Sequence, residues 1–305
     1  MSVLQAFILG LLQGATEFIP VSSSGHLTLV PWLLGWTFDP TLKGALDVLA
    51  HWGTLVAVVG VFWRDLWGIL LGGLRTLGGL YLRGTHDGGE AGRRSGSRLG
   101  RRLGRWIRGF PARVESDAQG RLAWLIVIGS VPAAVIGFLL EEFFEMLFGT
   151  PRIVSVLLGV TAGLLALSEW RGQQGRDLSG LHWLDALLIG LGQAAAIAPG
   201  ISRSGATIAF GLMRGVKRQA AARFSFWLST PVIVGAGVWQ LKDLFASSGW
   251  TAHVAPLVIG FLLSAVSGYV CIRFLLNYLR RGKLYLFAIY CALLGTASFI
   301  LSFIR

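Results

Sequence analysis

Charge is scarce in this chain. Asp, Glu, Lys and Arg make up 14% of its 305 residues, against 54% hydrophobic residues, and the mean hydropathy is +0.65. That balance excludes a soluble globular protein. Cysteine is nearly absent: Cys271 and Cys291 both sit inside apolar runs, where small core residues are expected and a disulfide framework is not. No basic residue precedes Lys43, so the positive start of a secretory signal is missing. Walker loops, Cys/His zinc spacings and dinucleotide fingerprints are missing too. No long polar stretch stands ready to house a second domain, so residues 1–305 are expected as a single membrane domain. The net charge of +12 would suggest nucleic acid in a soluble protein. Here ten arginines against four acids fall within residues 83–121. Membrane topology is the better account, with no nucleic-acid partner.

What the chain does have is apolar runs of spanning length. Six of them, at about 44–63, 121–141, 152–170, 222–241, 255–273 and 284–304, predict full transmembrane helices. Residues 1–35 and 183–213 are apolar as well, but Pro, Ser and Gly break each in the middle. Broken helices survive in lipid only in a protein interior or beside a water-filled cavity. Both are therefore expected as re-entrant helix pairs. They also read alike, 180 positions apart: Gly10-Leu-Leu-Gln13 leads to Ser22-Ser23-Ser24-Gly25, and Gly190-Leu-Gly-Gln193 leads to Ser202-Arg203-Ser204-Gly205. Counting spans outward from the basic loop brings the first pair in from the outside and the second from the cytoplasm. Both termini come out external. The fold class predicted is an all-α polytopic integral membrane protein with an inverted-topology repeat. Residues 1–72 form the first repeat, 73–120 a basic cytoplasmic loop, 121–180 intervening helices and 181–305 the second repeat. Small residues such as Gly235 and Gly237 would permit close helix packing, and with it a homodimer.

The polar residues of the two breaks carry the chemistry. Glu17 is ionisable inside a membrane segment and has no basic neighbour in sequence, which makes it a functional candidate by default. Gln13, four residues earlier, shares its helix face and serves either a metal or the cap of the break. Ser22, Ser23 and Ser24 with Gly25 offer hydroxyls and N–H groups at a helix start, at once a cap and an anion cradle. His26 can act as acid, base or nucleophile near neutral pH. In the second break, Arg203 between Ser202 and Ser204 carries a guanidinium whose planar fork fits phosphate oxygens; a salt bridge to Glu17 is the structural alternative. Thr207, four residues on, is placed to add a phosphate contact. If the breaks meet, acid, imidazole, hydroxyls and guanidinium converge on a phosphate ester or anhydride. Of the remaining histidines, His51, His182 and His253 lie near segment ends and are expected at the interface. Trp32, Trp36, Trp63, Trp67 and Trp250 are expected in aromatic belts.

The stretches Gln13-Gly-Ala-Thr-Glu17-Phe-Ile-Pro-Val-Ser22-Ser23-Ser24-Gly25-His26-Leu27 and Pro199-Gly-Ile-Ser202-Arg203-Ser204-Gly205-Ala-Thr207-Ile208 resemble the two signature motifs of the bacterial undecaprenyl pyrophosphate phosphatases. These are the bacitracin-resistance enzymes often called BacA. Pro132–Gly137 and Phe224–Ser229 match as well. The resemblance implies hydrolysis of undecaprenyl pyrophosphate to undecaprenyl phosphate, which recycles the lipid carrier for peptidoglycan synthesis and confers bacitracin resistance. It implies a multi-pass protein of the bacterial inner membrane, in contact with bilayer lipid, whose site opens to the periplasm. It also implies a divalent cation, Mg²⁺ or Ca²⁺. By position, Glu17, Ser23, His26 and Arg203 would be catalytic and Gln13, Ser22, Ser202 and Thr207 would line the pocket, with a metal held through Glu17. The first motif position is often Glu in the family and is Gln13 here. Ser23 attacking with His26 as base, and His26 activating a water, both remain open. The rival function is a transporter or flippase of a lipid phosphate or other anion. A carboxylate beside an imidazole argues against it.

Overall fold

A computed structural model describes residues 1–78, 109–172, 175–246 and 253–304. Most of the Arg/Gly-rich loop, and Trp250 with it, lies outside them. The named elements are helical: α1 (Val3–Phe18), α2 (Ser23–Leu34), α3 (Pro40–Gly78), α4 (Ala118–Leu139), α5 (Glu141–Leu147), α6 (Pro151–Arg171), α7 (Trp183–Ala195), α8 (Arg203–Met213), α9 (Arg218–Ala246), α10 (Val254–Tyr278) and α11 (Tyr285–Leu301). Five of them, α3, α4, α6, α9 and α10, contain a segment long and apolar enough to cross a membrane. The stretch expected as a sixth full span, 284–304, forms a 17-residue apolar helix. The run expected at 44–63 continues through a kink at Phe62 (φ −116°, ψ 18°) into a 39-residue helix. Two compact units result, one of Met1–Val61 with Ile128–Arg305, the other Phe62–Val127.

Both interrupted segments are helix pairs. The first breaks at residues 19–22 and the second at 196–202. Serines 180 positions apart close each break in the same way. Ser22 Oγ accepts from the Gly25 N–H at 3.2 Å and Ser202 Oγ from the Gly205 N–H at 3.0 Å, satisfying amide groups that a helix start leaves without partners. Ser22 does this at φ 70°, the one positive φ outside glycine among the described residues. Such a backbone persists only where its surroundings hold it.

Glycines seat the first helix of each pair. A Cβ on Gly10 of α1 would stand 2.5 Å from the Gly260 carbonyl oxygen of α10, and one on Gly190 of α7 would stand 2.3 Å from that of Gly129 in α4. Positions 180 apart therefore make the same backbone-on-backbone contact with different long helices. A buried ion cluster closes the far end of the second pair. Asp185, in the first turn of α7, accepts from Arg176 at 2.6 Å and from Arg214, just past α8, at 2.8 Å. Glu169 of α6 pairs with Arg218 at the start of α9. In the small-residue run of α9, Gly237 receives the Trp52 indole, while Gly235 faces open space.

Candidate active site

The two breaks meet. Arg203 Nη2 donates to Glu17 Oε1 at 2.9 Å, Ser204 Oγ donates to the Ile19 carbonyl at 3.3 Å, and the Gly200 N–H donates to Ser24 Oγ at 3.3 Å. Helix α6 braces the second break. Thr161 Oγ1 donates to the Gly200 carbonyl at 2.9 Å and accepts from the Ser202 N–H at 3.0 Å. Gly200 (φ +103°) lets the chain pass there, since a Cβ would stand 2.5 Å from the Val154 carbonyl oxygen.

Glu17 is the hub of this junction. The residue is 7% exposed, and its carboxylate accepts from three groups: Arg203, Ser23 Oγ at 2.6 Å and Gln13 Nε2 at 3.0 Å. A carboxylate at this depth is tolerable only with such charge-assisted partners. Arg203 also donates through Nη1 to the Ser225 carbonyl at 3.3 Å. A cavity of about 800 Å³ opens over the hub, lined by Glu17, Ser23, Ser24, Ser202 and Arg203 together with apolar walls from α2, α3, α4 and α9. It is large enough for a phosphorylated headgroup and the first part of a chain.

The other residues picked out from the sequence lie behind that wall. Gln13, Ser22, His26, Ser204 and Thr207 are buried without lining the cavity. Thr207 Oγ1 bonds to the Arg203 carbonyl at 2.8 Å and to Ser225 Oγ at 2.6 Å, so it supports Arg203 from below. Both His26 nitrogens are engaged, Nδ1 with the Ser22 carbonyl and Nε2 with Tyr290 Oη, each at 2.7 Å. The Tyr290 ring lies parallel to the imidazole.

The match to known proteins covers nearly the whole chain. The family model described as bacitracin resistance protein BacA matches residues 6–85 and 96–297. The undecaprenyl-diphosphatase of Pelotomaculum thermopropionicum is 38% identical over 305 residues, covering 100% of this chain and 98% of the relative. That of Moorella thermoacetica is 39% identical over 97% of this chain and 96% of its own. That of Rubrobacter xylanophilus is 41% identical over 95% and 94%. The chain belongs to the BacA family.

In this BacA family member the structure adds residues that the sequence did not point to. His51, expected at the membrane interface, lies instead on the cavity wall with Nε2 3.9 Å from Glu17 Oε2. Its Nδ1 lies 2.7 Å from the Asp47 carbonyl, and the Asp47 carboxylate accepts from Lys43 Nζ at 2.6 Å. Lys43, Asp47 and His51 follow at four-residue spacing, so they form one polar stripe along α3. That spacing was the available signal. Trp32 and Trp36, expected in the aromatic belts, line the cavity too, as does Gln193.

Proposed function

We propose that this chain hydrolyses undecaprenyl pyrophosphate to undecaprenyl phosphate and inorganic phosphate. The observation that carries this is the Ser23–Glu17–Arg203 constellation at the meeting of the two breaks, in a chain whose full-length relatives are undecaprenyl-diphosphatases. A hydroxyl bonded to a carboxylate is an activated nucleophile, and a guanidinium beside it suits the charge on a phosphoryl group in transfer. A passive anion carrier has no use for the carboxylate at the centre of its site.

In the mechanism this supports, the pyrophosphate displaces the Glu17 carboxylate from Arg203 and takes the guanidinium for its own oxygens. Ser23 Oγ attacks the terminal phosphorus while Glu17 Oε2 takes the hydroxyl proton. The bond from phosphorus to the bridging oxygen breaks, and undecaprenyl phosphate leaves with the electron pair, its oxygen taking the proton from Glu17. Water then attacks the phosphoserine while Glu17, ionised again, takes its proton and passes it to Ser23 Oγ, and inorganic phosphate is released. His26, held on both nitrogens, positions α2 and so Ser23. Ser24 and Ser202 add polar contacts along the wall.

The residues present fit a divalent cation in part. Glu17 offers a carboxylate, and buried Gln13 Oε1 has no hydrogen-bond partner among the described residues. No group of three His, Cys, Asp or Glu side chains able to hold a metal occurs among those residues. Mg²⁺ or Ca²⁺ would therefore be held by Glu17 with oxygens from phosphate and water. It would supply neutralisation of phosphate charge.

We further infer six membrane-crossing helices and two re-entrant pairs in an inverted repeat, in the bacterial inner membrane with the cavity opening outward. The paired serine caps and paired glycine contacts 180 positions apart support it. The test of function is phosphate release from a long-chain prenyl pyrophosphate by purified protein with Mg²⁺ or Ca²⁺. Wild type releases phosphate and EDTA suppresses it. Ser23→Ala and Arg203→Lys lower kcat on the order of a hundredfold or more. Inert, well-folded wild type would refute the proposal.

A further inference from the structure

One polar side chain of the cavity wall is buried with its whole amide unbonded among the described residues. Gln193 stands near the end of α7, 2% exposed, on the wall that also holds Glu17, Ser23 and Arg203. Neither its Nε2 nor its Oε1 has a hydrogen-bond partner among the described residues. Buried amides are almost always bonded, and leaving one unbonded is costly.

The repeat explains how this arises. In the first copy Gln13 spends its Nε2 on Glu17, four residues later. In the second copy the position four residues after Gln193 is Ile197, which also lines the cavity. The acceptor has been replaced by an apolar side chain and the donor has been kept. Gly192 fixes the backbone beside it, since a Cβ there would stand 2.7 Å from the Phe210 ring of α8. The amide is thus held in place by the same helix pair that presents Arg203.

We propose that Gln193 is a substrate contact, its Nε2 donating to a phosphate oxygen of the lipid pyrophosphate. This rests on the phosphatase reading of the site. A neutral donor suits the position, because the anion's oxygens are acceptors and Arg203 already supplies a positive charge. The two copies of one motif have divided the work: the first supplies the base, the second a neutral hand for the headgroup. The amide has no bond of its own to break when substrate arrives and takes no part in the proton transfers, so it contributes binding to ground and transition states alike.

The test uses the full-length protein in detergent with a long-chain prenyl pyrophosphate, comparing wild type with Gln193→Met, Gln193→Leu and Gln193→Asn. Methionine matches glutamine in length and removes both polar atoms. KM for the Met and Leu variants is expected to rise about tenfold to a hundredfold, the range for a lost hydrogen bond to a charged group. Their kcat stays within about threefold, and their melting temperature is unchanged or higher because an unbonded amide is gone. Asparagine, which keeps the donor on a shorter stem, recovers part of the KM. A folded Met or Leu variant with wild-type KM would overturn the proposal, and so would a lowered melting temperature with unchanged KM. Wild type inert toward the pyrophosphate would overturn the phosphatase reading and this contact with it.

Discussion

Glu17 holds three donors at once, and each comes from a different part of the chain: Gln13 from its own helix, Ser23 from the next, Arg203 from 186 residues away. The carboxylate is thus poised between structure and chemistry, since its pairing with Arg203 is also what substrate must exchange. His26 is one layer further out, which makes Tyr290→Phe informative. Removing that hydroxyl leaves Nε2 unpaired, at a cost of about 1 kcal/mol seen as a lower melting temperature. Phosphate release should fall by less than tenfold, because in the proposed mechanism the imidazole, which does not line the cavity, positions Ser23. A loss beyond a hundredfold in a variant of normal stability would put Nε2 at the reacting atoms. Glu17, Ser23 and Arg203 were legible in the sequence because polar groups stand out against apolar helices. His51 was not, since Lys43 and Asp47 beside it read as ordinary charges at a segment end. Thr161, Ser225 and Tyr290 gave no signal: a hydroxyl inside a long apolar helix shows its purpose only through a partner far along the chain.

The helices themselves are organised by small residues more than by greasy ones. In lipid, apolar surface gains little from meeting other apolar surface, so close backbone contact and buried polar bonds decide which helices associate. Gly190 on Gly129 and Gly10 on Gly260 are those contacts. Gly190→Leu should therefore wedge α7 from α4. Little folded protein is expected by detergent size-exclusion chromatography, whereas Gly235→Leu, at a position with nothing nearby, should behave as wild type. Both broken segments were legible from their Pro, Ser and Gly content, and the serine caps follow from the same residues. Element lengths were harder. Hydropathy falls at Arg64 and Asp65, yet the helix runs on to Gly78, because backbone hydrogen bonding continues past a kink whatever the polarity of the side chains.

At the scale of the whole chain, the proposed inverted repeat has a directional consequence. The two breaks meet, and in the proposed arrangement the outer ends of the two pairs open to opposite sides of the membrane. Thr41→Cys, just after the first pair, should react with a membrane-impermeant thiol reagent added to intact cells. Lys217→Cys, just after the second, should react only after permeabilisation. Both variants labelling from the same side would refute the inverted arrangement. What no local pattern could show is the pairing across halves, in which α1 packs on α10 and α7 on α4; only the repeat hints that such an exchange exists.

The buried carboxylate of Asp185, gripped by Arg176 before α7 and by Arg214 after α8, has a consequence for biogenesis. Arginines beside membrane helices are the marks that the insertion machinery reads, and these two are also the clasp of the finished hairpin. A nascent chain that threaded α7 and α8 straight through would leave the two guanidiniums on opposite faces and the clasp open. In the proposed re-entrant arrangement closure is available to one threading only, so the ion cluster that ties the folded hairpin would also select for correct insertion.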